Sequence, residues 1–177
     1  MGFLGRLIDD VEANNKIDVN RVYAVGVSAG AMMAYRLGCE LSARIAGVGS
    51  VAAAMVLDDC RPARPVSVIE IHGTADGLVP YLGGRTAGGA TQPSPPTPAV
   101  LQRWADLDAC PSAAATKTDG AVSTSTWTGC GAGTAVKLIT IDGGGHTWFA
   151  EGLGPVSGAV DATSEIWAFL SAARRTA

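Results

Sequence analysis

Ser28 stands in the run Gly26-Val27-Ser28-Ala29-Gly30, and Gly-x-Ser-x-Gly spacing puts a hydroxyl on the tight turn between a strand and a helix. The flanking glycines let the helix pass close to the strand, and the strained turn aims the hydroxyl outward, where it could attack a carbonyl carbon. In a chain with 23 glycines the bare pattern is weak evidence. Its alternative is a tight structural turn. The context strengthens it, because Arg21 to Val27 reads as a buried strand and Ala31 to Leu37 as a helix.

A serine hydroxyl is a poor nucleophile and needs a base within hydrogen-bond reach, held in turn by a third group. The chain has two histidines, His72 and His146. His146 follows Gly143-Gly144-Gly145 at the end of a strand-like run, whereas His72 closes another strand and reads as structural. The order nucleophile, acid, base along the chain favours His146 as base. Asp76, just beyond the strand Val66 to His72, is then the acid. Asp58 and Asp59 also follow a strand and are its rivals, while Asp142 is too near His146 in sequence to orient its ring. If Ser28 is only a turn residue, Asp76 reads equally well as a loop cap. The backbone N–H of Ala29 is the first donor expected for a developing oxyanion.

These residues need elements to position them. Phe3, Leu4, Leu7, Ile8 and Val11 share one helical stripe, predicting a surface helix packed on a sheet. Gly47 to Ala53 and Val66 to His72 read as further buried strands, Ala99 to Leu107 as a helix carrying Trp104, and Ser123 to Thr128 with Ala135 to Ile141 as a hairpin turning at Gly129 to Gly133. Asp161 is a candidate N-cap for a last helix with Ala162, Ile166, Phe169 and Leu170 on its apolar side. The Gly- and Pro-rich run Leu82 to Pro98 predicts a long surface loop. The second oxyanion donor belongs on a loop upstream of the nucleophile strand, yet only one helix and a turn precede Arg21.

The 177 residues fit one domain, and 47% hydrophobic with 16% charged residues describes a folded globular chain. A net charge of −3 without a basic run gives no footprint for nucleic acid. Ile45 to Leu57, the longest apolar run, is too short for a membrane span. The start MGFLGRLIDD lacks the zones of a signal peptide. Cys39, Cys60, Cys110 and Cys130 match no zinc spacing, leaving two disulfides or four buried thiols. No metal or cofactor is expected.

The segments VNRVYAVGVSAGAMMAYRLGCE, RPVSVIEIHGTADGLVPYLGG and LITIDGGGHTW resemble the secreted polyhydroxybutyrate depolymerase and feruloyl esterase group of α/β-hydrolases, a carbohydrate esterase family 1-like set. With their connections they cover nearly the whole chain. The resemblance implies an α/β-hydrolase with a mostly parallel sheet flanked by helices, the acid on Asp76 and the base on His146. It also implies disulfides Cys39–Cys60 and Cys110–Cys130 in an exported protein. Members of the group have several further strands and an LHG-type loop in front of the segment where this sequence starts, so the chain is expected to be the C-terminal catalytic half of one domain, residues 1–177, truncated at its front. HTWFAEG departs from the group, which usually has proline after the tryptophan.

The resemblance implies a serine esterase acting through an acyl-enzyme on feruloyl, aryl or short-chain esters, small or polymeric, with Trp148 beside the base as a candidate substrate wall. Polyhydroxybutyrate depolymerase activity, a catalytically weak binding module and a serine peptidase are the alternatives. With no neighbour on one side, the strand Arg21 to Val27 is expected to be exposed and to support self-association.

Overall fold

The structure is a computed structural model and describes residues 1–57, 59–87, 93–111, 113–153 and 156–175. Six strands form one sheet: β1 (Tyr23–Val27), β2 (Gly47–Val51), β3 (Ser67–Gly73), β4 (Ala115–Asp119), β5 (Val122–Trp127) and β6 (Val136–Ile141). Their order across the sheet is β1-β2-β3-β6-β5-β4. The first four positions are parallel, in registers that set Tyr23 against Gly47, Val48 against Val68 and Ile71 against Ile139. The β4-β5-β6 part is antiparallel. Because β1, β2, β3 and β6 run the same way, the loops after Val27, Val51, Gly73 and Ile141 all emerge at one edge.

The helices are α1 (Gly2–Asn14), α2 (Ala29–Glu40), α3 (Thr97–Leu107) and α4 (Ala162–Ala172). On one face Tyr35 of α2 and Leu101 and Trp104 of α3 pack with Val48, Val68 and Val136 of the sheet. Tyr35 and Trp104 meet at 5.8 Å between ring centroids, and the Trp104 indole N–H donates to the Val66 carbonyl at 2.9 Å. Burying such a large side chain together with its one polar atom satisfied contributes on the order of 2–3 kcal/mol. On the opposite face Ala162, Ile166 and Leu170 of α4 cover Ile69, Ile71 and Ile139. The sheet's centre is therefore covered on both sides, and all seven residues of β3 are buried. Asp161 caps α4 as expected, its carboxylate accepting the Ser164 N–H at 2.6 Å. Both expected disulfides, Cys39–Cys60 and Cys110–Cys130, are formed.

Three features differ from the sequence reading. The apolar stripe of α1 does not cover the sheet: none of its residues is buried, and Phe3 is 70% exposed. Ile8 alone of that stripe touches the core, and α1 is tied down through Arg44, which pairs with Asp9 at 2.6 Å and Glu12 at 2.8 Å. Periodicity identified an apolar face without saying what lies opposite it. Strand β4, missed in the sequence, is exposed throughout and holds to β5 by hydroxyl pairs, Thr116 with Ser125 and Thr118 with Ser123, both at 2.9 Å. The run Leu82 to Pro98 is not all loop, since α3 begins at Thr97 and Gly84 bridges Ser94; residues 88–92 lie outside the described residues. Strand β1 is a terminal strand of the sheet, with Val25 and Val27 exposed. Among the described residues no helix is long and apolar enough to cross a membrane.

Candidate active site

Ser28 links β1 to α2 with φ 55° and ψ −124°, a left-handed backbone that a non-glycine residue adopts only under constraint. The constraint is visible on both sides. Its N–H donates to the Val51 carbonyl at 2.9 Å and its carbonyl accepts the Met32 N–H at 3.0 Å. A Cβ at Gly26 would lie 2.3 Å from the Gly30 carbonyl carbon, so only glycine lets the first turn of α2 cross so near the end of β1. Ser28 occupies the N-cap position of α2, where a serine hydroxyl normally accepts a helix N–H, but it makes no such cap. Ala29 opens the helix, where amides have no intrahelical acceptor, and so presents an N–H beside the serine.

Asp76 follows β3 in a turn that fixes its carboxylate. Its Oδ1 accepts the N–H groups of Leu78 and Val79, each at 2.8 Å. Its Oδ2 faces His146 Nδ1 at 2.8 Å, the bond that orients an imidazole and presents Nε2 outward. His146 is reached from β6 through Gly143 to Gly145. That loop lies against the end of β3 because Gly73 has no side chain: a Cβ there would be 2.1 Å from the Gly144 carbonyl oxygen. The same oxygen accepts the Ala75 N–H at 2.9 Å, stitching the loop of Asp76 to the loop of His146.

The three predicted residues thus stand on loops at one sheet edge, and two of them are joined directly. Among the described residues the Ser28 hydroxyl and His146 share no hydrogen bond. Of the rival acids, Asp59 pairs with Arg61 at 2.6 Å in solvent, while Asp142, at the same sheet edge, accepts the Thr74 hydroxyl at 2.9 Å. Asp58 lies outside the described residues. Trp148 packs at the margin of the α4-side core and donates its indole N–H to Thr163 Oγ1 at 3.1 Å.

His72, read as structural, is fully buried and lies against Asp76. Its Nε2 is 2.9 Å from the Val79 carbonyl and 3.2 Å from Asp76 Oδ2. Its Nδ1 is 3.1 Å from Thr97 Oγ1 and 3.2 Å from Glu70 Oε1. Burial favours the neutral ring, but the bonds to Asp76 and Glu70 outweigh it and raise His72 to about 10. Burial likewise opposes the Asp76 charge, yet bonds from His72, Val79, His146 and Leu78 lower its carboxyl to about 2. Glu70 accepts the Tyr35 hydroxyl at 3.0 Å and the Ala53 N–H at 3.2 Å. The sequence held a signal for this network: a lone carboxylate in the apolar run VSVIEIHG must find partners if the strand is buried. Among the described residues no group of three or more His, Cys, Asp or Glu side chains is arranged to hold a metal ion.

The profile of the Phospholipase/Carboxylesterase family matches residues 1–93, just over half of the chain. A Nocardia uniformis subsp. tsuyamanensis protein assigned as an esterase, NocK, is 34% identical over 82% of this chain and 47% of its own length. Feruloyl esterase B of Piromyces equi is 32% identical over 86% of this chain and 29% of its own. The chain therefore spans about half or less of the relatives it matches. Among solved structures, an acetyl xylan esterase from Aspergillus awamori superposes with a TM-score of 0.62, covering 96% of this chain and 66% of the other at 14% identity. That likeness establishes the α/β-hydrolase fold.

Proposed function

We propose, from the premise that this chain belongs to the phospholipase/carboxylesterase family, that it hydrolyses carboxylic esters with Ser28 as nucleophile, His146 as general base and acid, and Asp76 as the group orienting the base. The observation that carries the reading is the 2.8 Å bond between Asp76 Oδ2 and His146 Nδ1 at the same sheet edge as a serine in strained, left-handed backbone. Ser28 Oγ attacks the ester carbonyl while His146 Nε2 takes its proton. The Ala29 N–H donates to the oxyanion. Collapse of this intermediate expels the alcohol with the proton from His146 and leaves Ser28 acylated. Water, deprotonated by His146, then attacks the acyl carbon and releases the acid, restoring the serine.

Feruloyl, other aryl and short acyl esters are the proposed substrates. The relatives' names and the position of Trp148, two residues beyond His146, support this choice. The two disulfides fit an oxidising compartment outside the cytosol. The test is turnover of 4-nitrophenyl acetate, 4-nitrophenyl butyrate and methyl ferulate by the chain and by Ser28→Ala. Hydrolysis that Ser28→Ala lowers by about 10⁴-fold or more is expected. Equal turnover by the two proteins would refute the assignment.

A further inference from the structure

The pair Asp76–His146 is the outer end of a longer buried line of groups: Tyr35, Glu70, His72, Asp76, His146. We propose that His72 is a positioning residue, an imidazole protonated at neutral pH that keeps Asp76 ionised and turned toward His146 and so sets the acid limb of the enzyme's pH profile. This rests on the Ser28, His146 and Asp76 reading above.

The protonation follows from what surrounds the ring. Both neighbours of Nε2, the Val79 carbonyl and Asp76 Oδ2, are acceptors, so Nε2 carries a proton. Nδ1 faces Glu70 Oε1, whose carboxylate has its other bonds from two donors, the Tyr35 hydroxyl and the Ala53 N–H. A carboxylate oxygen 3.2 Å from Nδ1 favours a proton there too. Thr97 Oγ1 can serve as a further acceptor. Tyr35 stays a donor because burial, then the charge and hydrogen bond of Glu70, push its hydroxyl well above the ordinary range. The remaining neighbour is Tyr81, whose ring meets His72 edge-on at 5.7 Å and whose hydroxyl is taken by Thr140. No other titratable group is in hydrogen-bond contact with His72 among the described residues. Glu70 and Asp76 are thus two buried carboxylates with one cation between them.

The consequence for the base has one sign by either route. Without the His72 charge Asp76 faces Glu70 uncompensated and retains a proton to higher pH, which deprives His146 of its anionic partner. Where Asp76 does stay ionised, its field acts undiluted on His146 and favours the imidazolium, which cannot accept the serine proton. Both routes move the acid limb to higher pH. Removing the Glu70 charge instead leaves His72 and Asp76 as a neutral pair and moves the limb to lower pH or leaves it in place.

The experiment records kcat and KM for 4-nitrophenyl acetate from pH 5 to 10 with the wild type, His72→Gln and Glu70→Gln. Circular dichroism is used to show that each is folded. His72→Gln is expected to shift the acid limb upward by about one unit, the size typical of a charge acting at close range. Its kcat should fall about threefold near neutrality and up to about tenfold below the wild-type limb, recover toward pH 9 and leave KM unchanged. A folded His72→Gln with the wild-type limb, or a limb shifted upward equally by Glu70→Gln, overturns the proposal. A second measurement needs neither variant nor activity: ring ¹⁵N shifts in the wild type should show His72 as imidazolium at pH 8, and a neutral ring there overturns it. Activity that survives Ser28→Ala would instead strike the parent reading and leave the His72 spectrum as the arbiter of this one.

Discussion

Gly73→Ala tests the geometry that brings acid and base together. An alanine Cβ at this position would lie 2.1 Å from the Gly144 oxygen, 2.2 Å from its carbonyl carbon and 2.7 Å from its Cα, all backbone atoms that no side-chain rotation can clear. Ordinary contact begins at 3.4 Å, so the loop carrying Gly144 must retreat by about 1.3 Å, a distance large for a packed interior. Gly144 lies two residues before His146, and its oxygen holds the Ala75 N–H, one residue before Asp76. The displacement therefore falls on the Asp76–His146 bond. A misplacement of about 1 Å costs on the order of 10²-fold in rate. Turnover of 4-nitrophenyl acetate should drop about 100-fold, with overpacking lowering stability by about 1–3 kcal/mol. Gly77→Ala is the control, because a Cβ there, next to Asp76, meets none of the described residues within 4 Å. It should retain most of the activity. A folded Gly73→Ala with more than a third of wild-type turnover would refute the account of how the loop is seated.

Further expectations concern pH, substrate and association. The folded-state value of His72, raised to about 10, means its charge stabilises the fold fully below the unfolded value near 6.5 and progressively less as pH rises to about 10. Asp76, lowered to about 2, acts oppositely: its contribution is complete above about 4 and is lost as pH falls through 2. Thermal melts should show Tm declining from pH 7 to 10, and a Tm that is flat over that range in the wild type contradicts the His72 assignment. Trp148→Ala should raise KM for methyl ferulate more than for 4-nitrophenyl acetate, and equal effects on both would make Trp148 a packing residue only. The exposed Val25 and Val27 on the terminal strand β1 predict association of the isolated chain in light scattering. A concentration-independent monomer mass would refute that.

How much of this was legible in the sequence depends on which physical signal each feature carries. Ser28, Asp76 and His146 stood out as candidates because glycine spacing, strand ends and chain order narrow the choice, and the structure puts all three at one edge. Strand β3 was legible because a strand buried on both faces is mostly apolar, as Val68, Ile69 and Ile71 are. Strand β4 was not, since Ala115 to Asp119 is exposed and paired through hydroxyls, which leaves no apolar alternation to read. The stripe on α1 was real as a pattern, but what covers an apolar face is a tertiary fact, and Phe3, Leu7 and Val11 remain exposed. His72 was placed correctly as buried, yet its contact with Asp76 depends on the turn between them, where the Leu78 and Val79 N–H groups rotate the carboxylate back toward the ring. Glu70 gave the clearest unused warning, because an isolated charge inside β3 cannot be buried without a counter-charge.

Covalent labelling tests, without any assumption about substrate, whether Ser28 is a nucleophile activated through His146 and Asp76. The purified chain is incubated with a fluorophosphonate, which phosphonylates an activated serine with loss of fluoride, and the adduct is located by peptide mass spectrometry. One adduct per chain is expected, on Ser28, with labelling abolished in Ser28→Ala and slowed by about 10³-fold or more in His146→Ala. A folded chain that takes no label, or takes it on another residue, would contradict the account.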